Sequence, residues 1–592
     1  MRTLEHFPNL VAMFFARARE KGDAPFLWAK RDGQWRATSW AEAARQVASL
    51  ATALRPLGIK RGDRVMLVGE NRPEWCISDL AIMAAGCVTV PTYITNTERD
   101  HQHILENSGA CAVIVSTAKL AKTLMPAVLK SNQGQLIIGI DEMRFPATVE
   151  HHDWRRLIAD HPATPDDIVA DFAREDLACI IYTSGTGGAP RGVMQHHGAI
   201  LHNVNGICQV ISEDFGWGDE VFLSFLPLSH AYEHTAGQFG PIGLAGQIYY
   251  AEGLEKLASN IEEARPTLMV VVPRLFEVLR TRISKAIEKQ GGLSAKLLAR
   301  ALDIGGRDYT GTLRWTERPM KLVIDRLFKP KIGKKFGGQM KALVAGGAPL
   351  TPEVGIFFHS IGLTVLQGYG QTEAAPVISC NRPAAGVRMD TVGPPLPNTE
   401  VRIAEDGEIL VRGELVMHGY WRNEQETERV LKDGWLHTGD VGLIDDAGRV
   451  KITDRKKDLI INDKGDNVAP QKVEGMLTLQ PEIAQAMIAG DRRPHMVALI
   501  VPDPEWVQEW CARHGQPCRF DALAQNSAFR TALGHAVERV NKDLSVIERV
   551  RRFTLADEPF TIENGQMTPS LKIRRHEIKK MYGERLDALY GG

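Results

Sequence analysis

Short apolar segments alternate with stretches of helical periodicity through the first several hundred residues of this chain. Residues 64–69, 111–116, 135–140, 177–181 and 267–272 are examples of these segments. Strands separated by helices build parallel sheets, because a parallel strand is reached only through a long crossover connection. The alternation therefore predicts an α/β fold in which helices cover parallel sheets. The length of 592 residues is sufficient for at least two domains.

The periodicity changes after Thr399. Apolar residues recur at alternate positions near residues 401–411 and 441–452, around a turn at residues 445–448. A period of two on both sides of a short Gly-containing turn indicates antiparallel hairpins, which predicts a small β-barrel-like subdomain. A densely charged run follows at residues 454–458, and the remaining sequence is mixed strand and helix. We expect a large N-terminal domain at residues 1–454, a hinge at 455–458 and a small α+β C-terminal domain at 459–592.

Composition restricts the functional class. The sequence is 44% apolar and 24% charged, as in ordinary globular proteins. Its formal net charge of -1 argues against a nucleic-acid partner, because binding a phosphate backbone requires a basic surface. The eight cysteines are scattered without a CxxC pair, which is typical of reduced thiols in a cytosolic protein. We therefore predict a cytoplasmic location.

The sequence offers one candidate for membrane contact. No run approaches the roughly 18 unbroken apolar residues that a membrane-spanning helix requires. The apolar run at residues 10–16 is better explained by an amphipathic helix than by a signal peptide. The segment from Arg318 to Lys341 interleaves lysines and arginines with apolar residues. This segment is compatible with peripheral contact with anionic lipid at the inner face of a membrane, but such a stretch is more often a solvated helix face plus loop.

Residues 182–192 form the most distinctive loop of the sequence. After an apolar strand, the loop combines the hydroxyls of Thr183, Ser184 and Thr186 with four glycines and the cation of Arg191. Glycines allow backbone amides to approach an anion, hydroxyls donate hydrogen bonds, and a guanidinium adds charge-assisted contacts. The Gly-Lys-Ser/Thr ending of a Walker loop is missing. Phosphate binding and an ordinary surface loop both remain compatible with this segment alone.

Five further segments accompany this loop, at residues 343–350, 366–373, 435–440, 454–474 and 564–575. In order and approximate spacing, the six segments resemble the motifs of the adenylate-forming superfamily, which includes acyl-CoA synthetases, firefly luciferases and peptide-synthetase adenylation domains. Residues 225–233, the step at 272–274 and the Thr-Pro-Ser-Leu-Lys sequence ending at Lys572 look most like long-chain fatty acyl-CoA synthetases.

The resemblance implies specific roles. Lys572 bridges the substrate carboxylate and the α-phosphate, Glu373 binds Mg²⁺, and Thr372 contacts the α-phosphate. His230 positions the acyl carboxylate, and Lys457 is the hinge about which a mobile C-terminal domain rotates between adenylation and thioester formation. The residues implied in binding ATP or CoA are Thr183, Ser184, Gly185, Thr186, Gly187, Arg191, Gly347, Ala348, Pro349, Gln367, Gly368, Tyr369, Asp440, Arg455 and Gly465.

The implied reaction joins a fatty acid to AMP at the expense of ATP, and then transfers the acyl group to CoA. Joining to AMP is needed because a free carboxylate would have to expel oxide when a thiol attacks it. The fatty acid and CoA are the expected small-molecule substrates, and no obligate protein partner is predicted. Two other interpretations stay open: an aryl-CoA ligase or a fatty acyl-AMP ligase that uses a carrier protein, and a catalytically inactive nucleotide-binding relative.

The phosphate loop departs from the family pattern at two positions. Gly187 stands where family loops have a threonine, and Arg191 stands where they have a lysine. The missing hydroxyl removes one phosphate hydrogen bond, worth roughly 0.5 to 1.5 kcal/mol, so we expect weaker ATP binding. These changes motivate the inactive alternative. The joint retention of Glu373, Asp440, Arg455 and Lys572 argues against it.

Overall fold

The computed structural model describes residues 2–131, 133–183, 189–289, 292–327, 329–456, 459–464, 466–568 and 572–591. The chain divides into two compact units. The first comprises Met1–Arg402, Leu410–Thr438 and Ile444–Val450, and the second comprises Ile403–Ile409, Gly439–Leu443 and Lys451–Gly592. The domain limits expected from the sequence, with their hinge at residues 455–458, stay a prediction.

A seven-stranded sheet forms part of the first unit. It is parallel except for the antiparallel pair of Leu177–Thr183 and Arg191–His196. Its central strands are almost completely buried, which explains their continuous apolar sequence. The order of its strands is Glu150–Asp153, Leu136–Gly139, Ala112–Val115, Arg64–Val68, Val88–Thr92, Leu177–Thr183 and Arg191–His196. The helices in this part of the chain are Trp40–Leu54, Pro73–Ala84, Glu98–Ser108, Ala118–Lys130, Trp154–Asp160 and His197–Asp214, with a 3₁₀ turn at Pro165–Asp167.

An eight-stranded sheet is the other large layer of the first unit. Its middle strands are parallel, and one antiparallel pair closes each end. The order of its strands is Val377–Cys380, Val365–Gly370, Ala342–Ala345, Leu268–Val271, Val221–Ser224, Gln247–Tyr250, Pro25–Arg31 and Gln34–Ser39. Further helical segments of the first unit are Leu10–Lys21, Glu233–Phe239, Gly240–Gly243, Leu254–Lys256, Leu257–Ala264, Pro273–Lys289, Gly292–Tyr309, Trp315–Glu317, Arg318–Leu327, Lys329–Lys335, Pro352–Ser360, Thr372–Ala374 and Pro383–Ala385.

The five apolar segments predicted as strands all form strands, and the predicted α/β class with parallel sheets is confirmed. The helix expected near residues 10–16 is Leu10–Lys21, whose N-cap Asn9 accepts a hydrogen bond from the amide of Ala12. No helix of the described residues is long and apolar enough to cross a membrane.

The hairpins expected after Thr399 are present in a five-stranded sheet. Strand Trp435–Ile444 pairs with Val450–Arg455. The turn between them is closed by the Gly448 amide, which donates to the Asp445 carbonyl at 2.8 Å. The other strands of this sheet are Glu400–Ile403, Glu408–Arg412 and Leu431–Lys432, and the helix Glu424–Val430 lies between them in sequence.

The C-terminal part of the second unit is mixed α and β, as its sequence pattern predicted. Its own apolar core includes Val473, Ile488, Ile500 and Phe529, all of which are buried. The strands are Ile460–Ile461, Asn467–Val468, Ile483–Ala489, Met496–Pro502 and Val550–Leu555, and the last three form one sheet. The helices are Pro470–Thr478, Pro504–His514, Phe520–Gln525, Ser527–Asn541 and Arg575–Ala588.

Candidate active site

Two neighbouring parallel strands of the eight-stranded sheet, with the turn that follows the first, carry six of the fifteen residues predicted to bind ATP or CoA. Strands Ala342–Ala345 and Val365–Gly370 are in register, with Ala345 opposite Gln367. The carboxyl ends of parallel strands form the usual ligand-binding edge of an α/β sheet. The structure brings these predicted residues to that edge: Gly347, Ala348, Pro349, Gln367, Gly368 and Tyr369.

Two glutamines, Gln367 and Gln371, lie at this edge of the sheet. Within the described part of the chain, Oε1 of the buried Gln367 and Nε2 of Gln371 have no hydrogen-bond partner. Buried polar atoms normally find a partner, so such atoms point to a ligand or water. Tyr369 is largely buried, whereas Ala348 and Pro349 are exposed. The edge thus combines an aromatic ring with unmatched hydrogen-bonding groups, which suits a nucleobase.

Thr372 and Glu373 lie in the short turn Thr372–Ala374 that follows this edge. The Gln195 side chain donates to the Thr372 carbonyl at 2.7 Å, and the Tyr420 hydroxyl donates to Oε1 of Glu373 at 2.8 Å. At the start of the turn, a Cβ added to Gly370 would lie 1.9 Å from the Pro376 carbonyl oxygen. Only glycine fits there, so the turn that presents both side chains is sterically fixed.

The two ends of the phosphate loop are also close together. Thr183 and Arg191 are paired across the antiparallel hairpin, and Arg191 forms an ion pair with Glu426. The Arg191 guanidinium lies over the Tyr420 ring, 5.4 Å from its centroid. The remaining predicted loop residues, Ser184, Gly185, Thr186 and Gly187, lie outside the described residues.

His230 is half-buried at the end of the Pro-Leu-Ser-His motif. Its backbone amide donates to the Pro227 carbonyl at 2.9 Å, and its Nδ1 accepts from the Tyr232 amide at 3.2 Å. The Tyr232 hydroxyl in turn donates to the Val344 carbonyl at 2.9 Å. The Tyr232 hydrogen bond ties the motif to the strand that precedes Gly347.

Asp440 and Arg455 form a pair within the second unit. Nε of Arg455 donates to Oδ1 of Asp440 at 2.8 Å, and Asp440 is only 2% exposed. Next to them, Lys456 donates to Oε2 of Glu408 at 2.8 Å, while the Gly439 amide donates to Oε1 of Glu408 at 2.7 Å. Two of the residues predicted to bind ATP or CoA are therefore adjacent and held in a hydrogen-bonded cluster.

Lys572 is hydrogen-bonded through its backbone to Thr568 in the second unit. Its amide donates to the Thr568 hydroxyl at 3.1 Å, and its carbonyl accepts from the Thr568 amide at 2.8 Å. Met567 and Ile573 form an antiparallel bridge beside it. Two further predicted residues, Lys457 and Gly465, lie outside the described part of the chain.

The donor set agrees with Mg²⁺ carried by ATP. The described residues contain no group of three or more His, Cys, Asp or Glu side chains that would hold a metal ion by themselves. Mg²⁺ typically keeps water and phosphate ligands and takes one or two carboxylates from a protein. Glu373, half-buried and oriented through one oxygen, is a carboxylate of that kind.

Sequence reasoning missed three residues around the predicted site, Tyr420, Glu426 and Gln195. Tyr420 is 6% exposed, and burial together with the adjacent Glu373 raises the pKa of its hydroxyl well above the usual value. The hydroxyl therefore keeps its proton and acts as a donor. The Gly-Tyr-Trp sequence at residues 419–421 was a local signal of an ordered aromatic segment, but nothing in it indicated a contact with Glu373.

Comparisons with known proteins place the chain in a family. The profile of the AMP-binding enzyme family matches residues 14–421, and that of the AMP-binding enzyme C-terminal domain matches residues 457–592. The fold, the site at the carboxyl ends of its parallel strands and the two family profiles define a nucleotide-binding α/β enzyme with a C-terminal domain. The chain belongs to the AMP-binding enzyme family.

Several relatives cover almost the whole chain. It is 32% identical to the long-chain fatty acid CoA ligase FadD15 of Mycobacterium tuberculosis, over 99% of this chain and 98% of the relative. It is 30% identical to the peroxisomal long chain acyl-CoA synthetase 7 of Arabidopsis thaliana, over 94% and 82% of the two chains. Among solved structures, the adenylation domain of a carboxylate reductase from Mycobacterium chelonae superposes with a TM-score of 0.79 at 22% identity, covering 99% of this chain and 92% of the other. At 22% identity, the similarity to this structure shows the fold alone.

Proposed function

We propose that this protein is an AMP-forming long-chain fatty acid CoA ligase that uses ATP, Mg²⁺ and CoA. The observation that carries the proposal is the sheet edge at which Gln367, Tyr369 and Glu373 meet, with unmatched polar atoms and an oriented carboxylate. The choice of a long-chain acid is supported by the near full-length similarity to FadD15 and to the plant acyl-CoA synthetase.

The proposed chemistry has two steps. A fatty acid carboxylate oxygen attacks the α-phosphorus of ATP, the bond to pyrophosphate breaks, and acyl-AMP forms. The CoA sulfur, after losing its proton, then attacks the acyl carbon, and the bond to AMP breaks. Both steps pass through crowded negative charge, so the protein contributes mainly electrostatic stabilisation. Lys572 supplies a cation at the carboxylate and the α-phosphate, and Thr372 donates a hydrogen bond to that phosphate.

The remaining residues hold the substrates. Glu373 would hold Mg²⁺ on the phosphates, and Asp440 with Arg455 would bind the ribose hydroxyls, for which an ionised carboxylate is a good double acceptor. His230 would position the acyl carboxylate. None of these groups forms a covalent intermediate, because AMP already provides the leaving group.

The test is AMP formation with ATP and Mg²⁺ across acetate, benzoate and acids of medium and long chain, each with and without CoA. We expect CoA-dependent turnover on long chains that collapses in Lys572→Ala and persists in Lys579→Ala, an exposed lysine of the same region. Acyl-AMP formation without transfer to CoA would instead favour a carrier-protein ligase, and preference for benzoate would favour an aryl-CoA ligase. Absence of AMP with every acid would reject the proposal in favour of an inactive nucleotide-binding relative.

We also propose that a surface on and beside helix Arg318–Leu327 brings the enzyme to the cytoplasmic face of an anionic membrane. Trp315 is 81% exposed and Leu322 is 70% exposed, and Met320 and Val323 are exposed as well. Exposed apolar side chains among cations are typical of interfacial helices. Among the described residues, none of the following exposed cations forms an ion pair: Arg318, Arg326, Lys331, Lys334 and Lys335.

Not every apolar residue of this segment contributes, because Ile324 and Phe336 are buried. The measurement is co-sedimentation with vesicles of phosphatidylglycerol, compared with vesicles of phosphatidylcholine. We expect binding to the anionic vesicles only, with a strong loss in the Trp315→Ala, Leu322→Ala double variant. Absence of sedimentation with phosphatidylglycerol would show that the segment is a solvated helix face.

A further inference from the structure

Tyr420 lies between two groups that the proposed function assigns to ATP. Its hydroxyl donates to Oε1 of Glu373 at 2.8 Å, and the Arg191 guanidinium packs over its ring at 5.4 Å from the centroid. Tyr420 is 6% exposed. One buried side chain thus contacts both the predicted metal-binding carboxylate and the predicted phosphate-binding cation.

The backbone around Tyr420 is fixed on both sides. Tyr420 forms an antiparallel bridge with Val193, and the Trp421 amide donates to the Gly192 carbonyl at 2.7 Å. The Tyr420 amide donates to the Thr427 hydroxyl at 2.9 Å. A Cβ added to Gly419 would lie 2.5 Å from the Thr427 methyl group, and its φ is +119°, so glycine is required there. The ring therefore has a single well-defined position relative to the phosphate-loop hairpin.

Arg191 is restrained from a second direction. Glu426, on helix Glu424–Val430, forms an ion pair with Nη1 of Arg191. The amide of Glu426 donates to the Asn423 side chain, which caps this helix, at 3.2 Å. A guanidinium has a planar fork of five N–H donors. One edge is held by Glu426 and one face by Tyr420, which leaves donors of the fork for another anion.

We propose that Tyr420 is a positioning residue that couples the metal-binding carboxylate of Glu373 to the phosphate-loop cation Arg191. Its hydrogen bond engages Oε1 of Glu373 and restrains the carboxylate that would hold Mg²⁺. The Tyr420 ring supports one face of the Arg191 guanidinium, and the ion pair with Glu426 restrains the orientation of that guanidinium. This inference rests on the proposed function, because it assumes that ATP with Mg²⁺ binds at Glu373.

Tyr420→Phe tests the hydroxyl while retaining the ring and its packing against Arg191. A hydrogen bond to a charged group corresponds to a change on the order of tenfold to a hundredfold. We expect the Mg²⁺ concentration for half-maximal pyrophosphate–ATP exchange to rise about tenfold, while the KM for the fatty acid stays within about twofold. In calorimetry, the enhancement of ATP affinity by Mg²⁺ should fall by a similar factor, and this second readout does not depend on turnover.

The matched control is Tyr309→Phe, which removes a tyrosine hydroxyl that accepts from the Met389 amide at 2.7 Å. This control should leave the Mg²⁺ dependence unchanged. Glu426→Gln should raise the KM for ATP several-fold with little effect on the fatty acid, and Glu426→Asp should restore part of the loss. An active wild type whose Mg²⁺ dependence is unchanged in Tyr420→Phe would overturn the inference, as would equal shifts for Mg²⁺ and the fatty acid. A wild type without any AMP formation would instead reject the proposed function.

Discussion

The strongest stability prediction concerns the ion pair of Glu474 and Arg575. Nη1 and Nη2 of Arg575 donate to the two Glu474 oxygens at 2.7 and 2.9 Å. The Ile488 amide also donates to Glu474 at 2.7 Å, and Nη1 of Arg575 donates to the Ile488 carbonyl at 3.0 Å. The pair joins helix Pro470–Thr478 and strand Ile483–Ala489 to the segment that carries Lys572.

Glu474→Gln keeps the side-chain shape but removes the negative charge that pairs with the Arg575 guanidinium. Removing one partner of a buried ion pair typically costs about 3–5 kcal/mol. The side chains of Glu474 and Arg575 are 9% and 17% exposed, and glutamine retains one acceptor oxygen, so we expect a loss of roughly 2–3 kcal/mol. This loss corresponds to an equilibrium constant for opening of the C-terminal unit that is about 30-fold to 150-fold larger, and to exchange that is faster by the same factor.

Hydrogen exchange of strand Met496–Pro502 is the appropriate assay, because it reports the opening of this unit separately from the rest of the chain. Arg539→Gln, which breaks the more exposed pair with Glu482, is the control and should change exchange by less than about fivefold. An exchange rate in Glu474→Gln equal to that of the control would refute the reasoning. Because Arg575 follows Lys572 by three residues, we also expect slower adenylation in Glu474→Gln.

Three further predictions concern other parts of the chain. Burial raises the pKa of Glu233 to about 8, so the native state keeps a proton that the unfolded chain loses, and stability should fall as pH rises from about 5 to 8. The Tm of Glu233→Gln relative to wild type should therefore rise over that range, and a constant difference in Tm would contradict this. Asn9→Ala should cost about 2 kcal/mol in urea unfolding, since the side chain caps a helix and donates to two carbonyls; Asn541→Ala should leave this N-terminal part unaffected. Gly187→Thr should lower the KM for ATP, and an unchanged or higher value would reject the missing-hydroxyl explanation.

Sequence periodicity predicted the layers of the fold because the buried strands impose a simple pattern. Strands such as Ala112–Val115 are apolar at every position, since helices cover both faces of a parallel sheet. The hairpin near Asp445 could also be predicted from the sequence, because a Gly-containing turn separates two strands whose apolar residues alternate. Both patterns involve residues that are close in sequence, and such patterns can be recognised in a single sequence.

Contacts within the candidate site were predictable only where register determined them. Asp440 and Arg455 lie on paired strands joined by a short turn, so a hairpin brings them together. Tyr420 and Glu373 are 47 residues apart, and no periodicity connects them. Their contact depends on how the segment at residues 419–421 pairs with strand Arg191–His196. This pairing is a tertiary arrangement, and a single sequence gives no local signal that predicts it.

The surroundings of Arg191 change the interpretation of its departure from the family pattern. A lysine would present a compact, rotatable ammonium, whereas a guanidinium can stack on an aromatic ring and form a directed ion pair at the same time. Arg191 does both, with Tyr420 and Glu426. The substitution therefore exchanges mobility for a fixed orientation, which lowers the entropy lost when phosphate binds. On this argument, the expected weakening of ATP binding originates at Gly187 and not at Arg191, so Arg191→Lys should weaken ATP binding and not improve it.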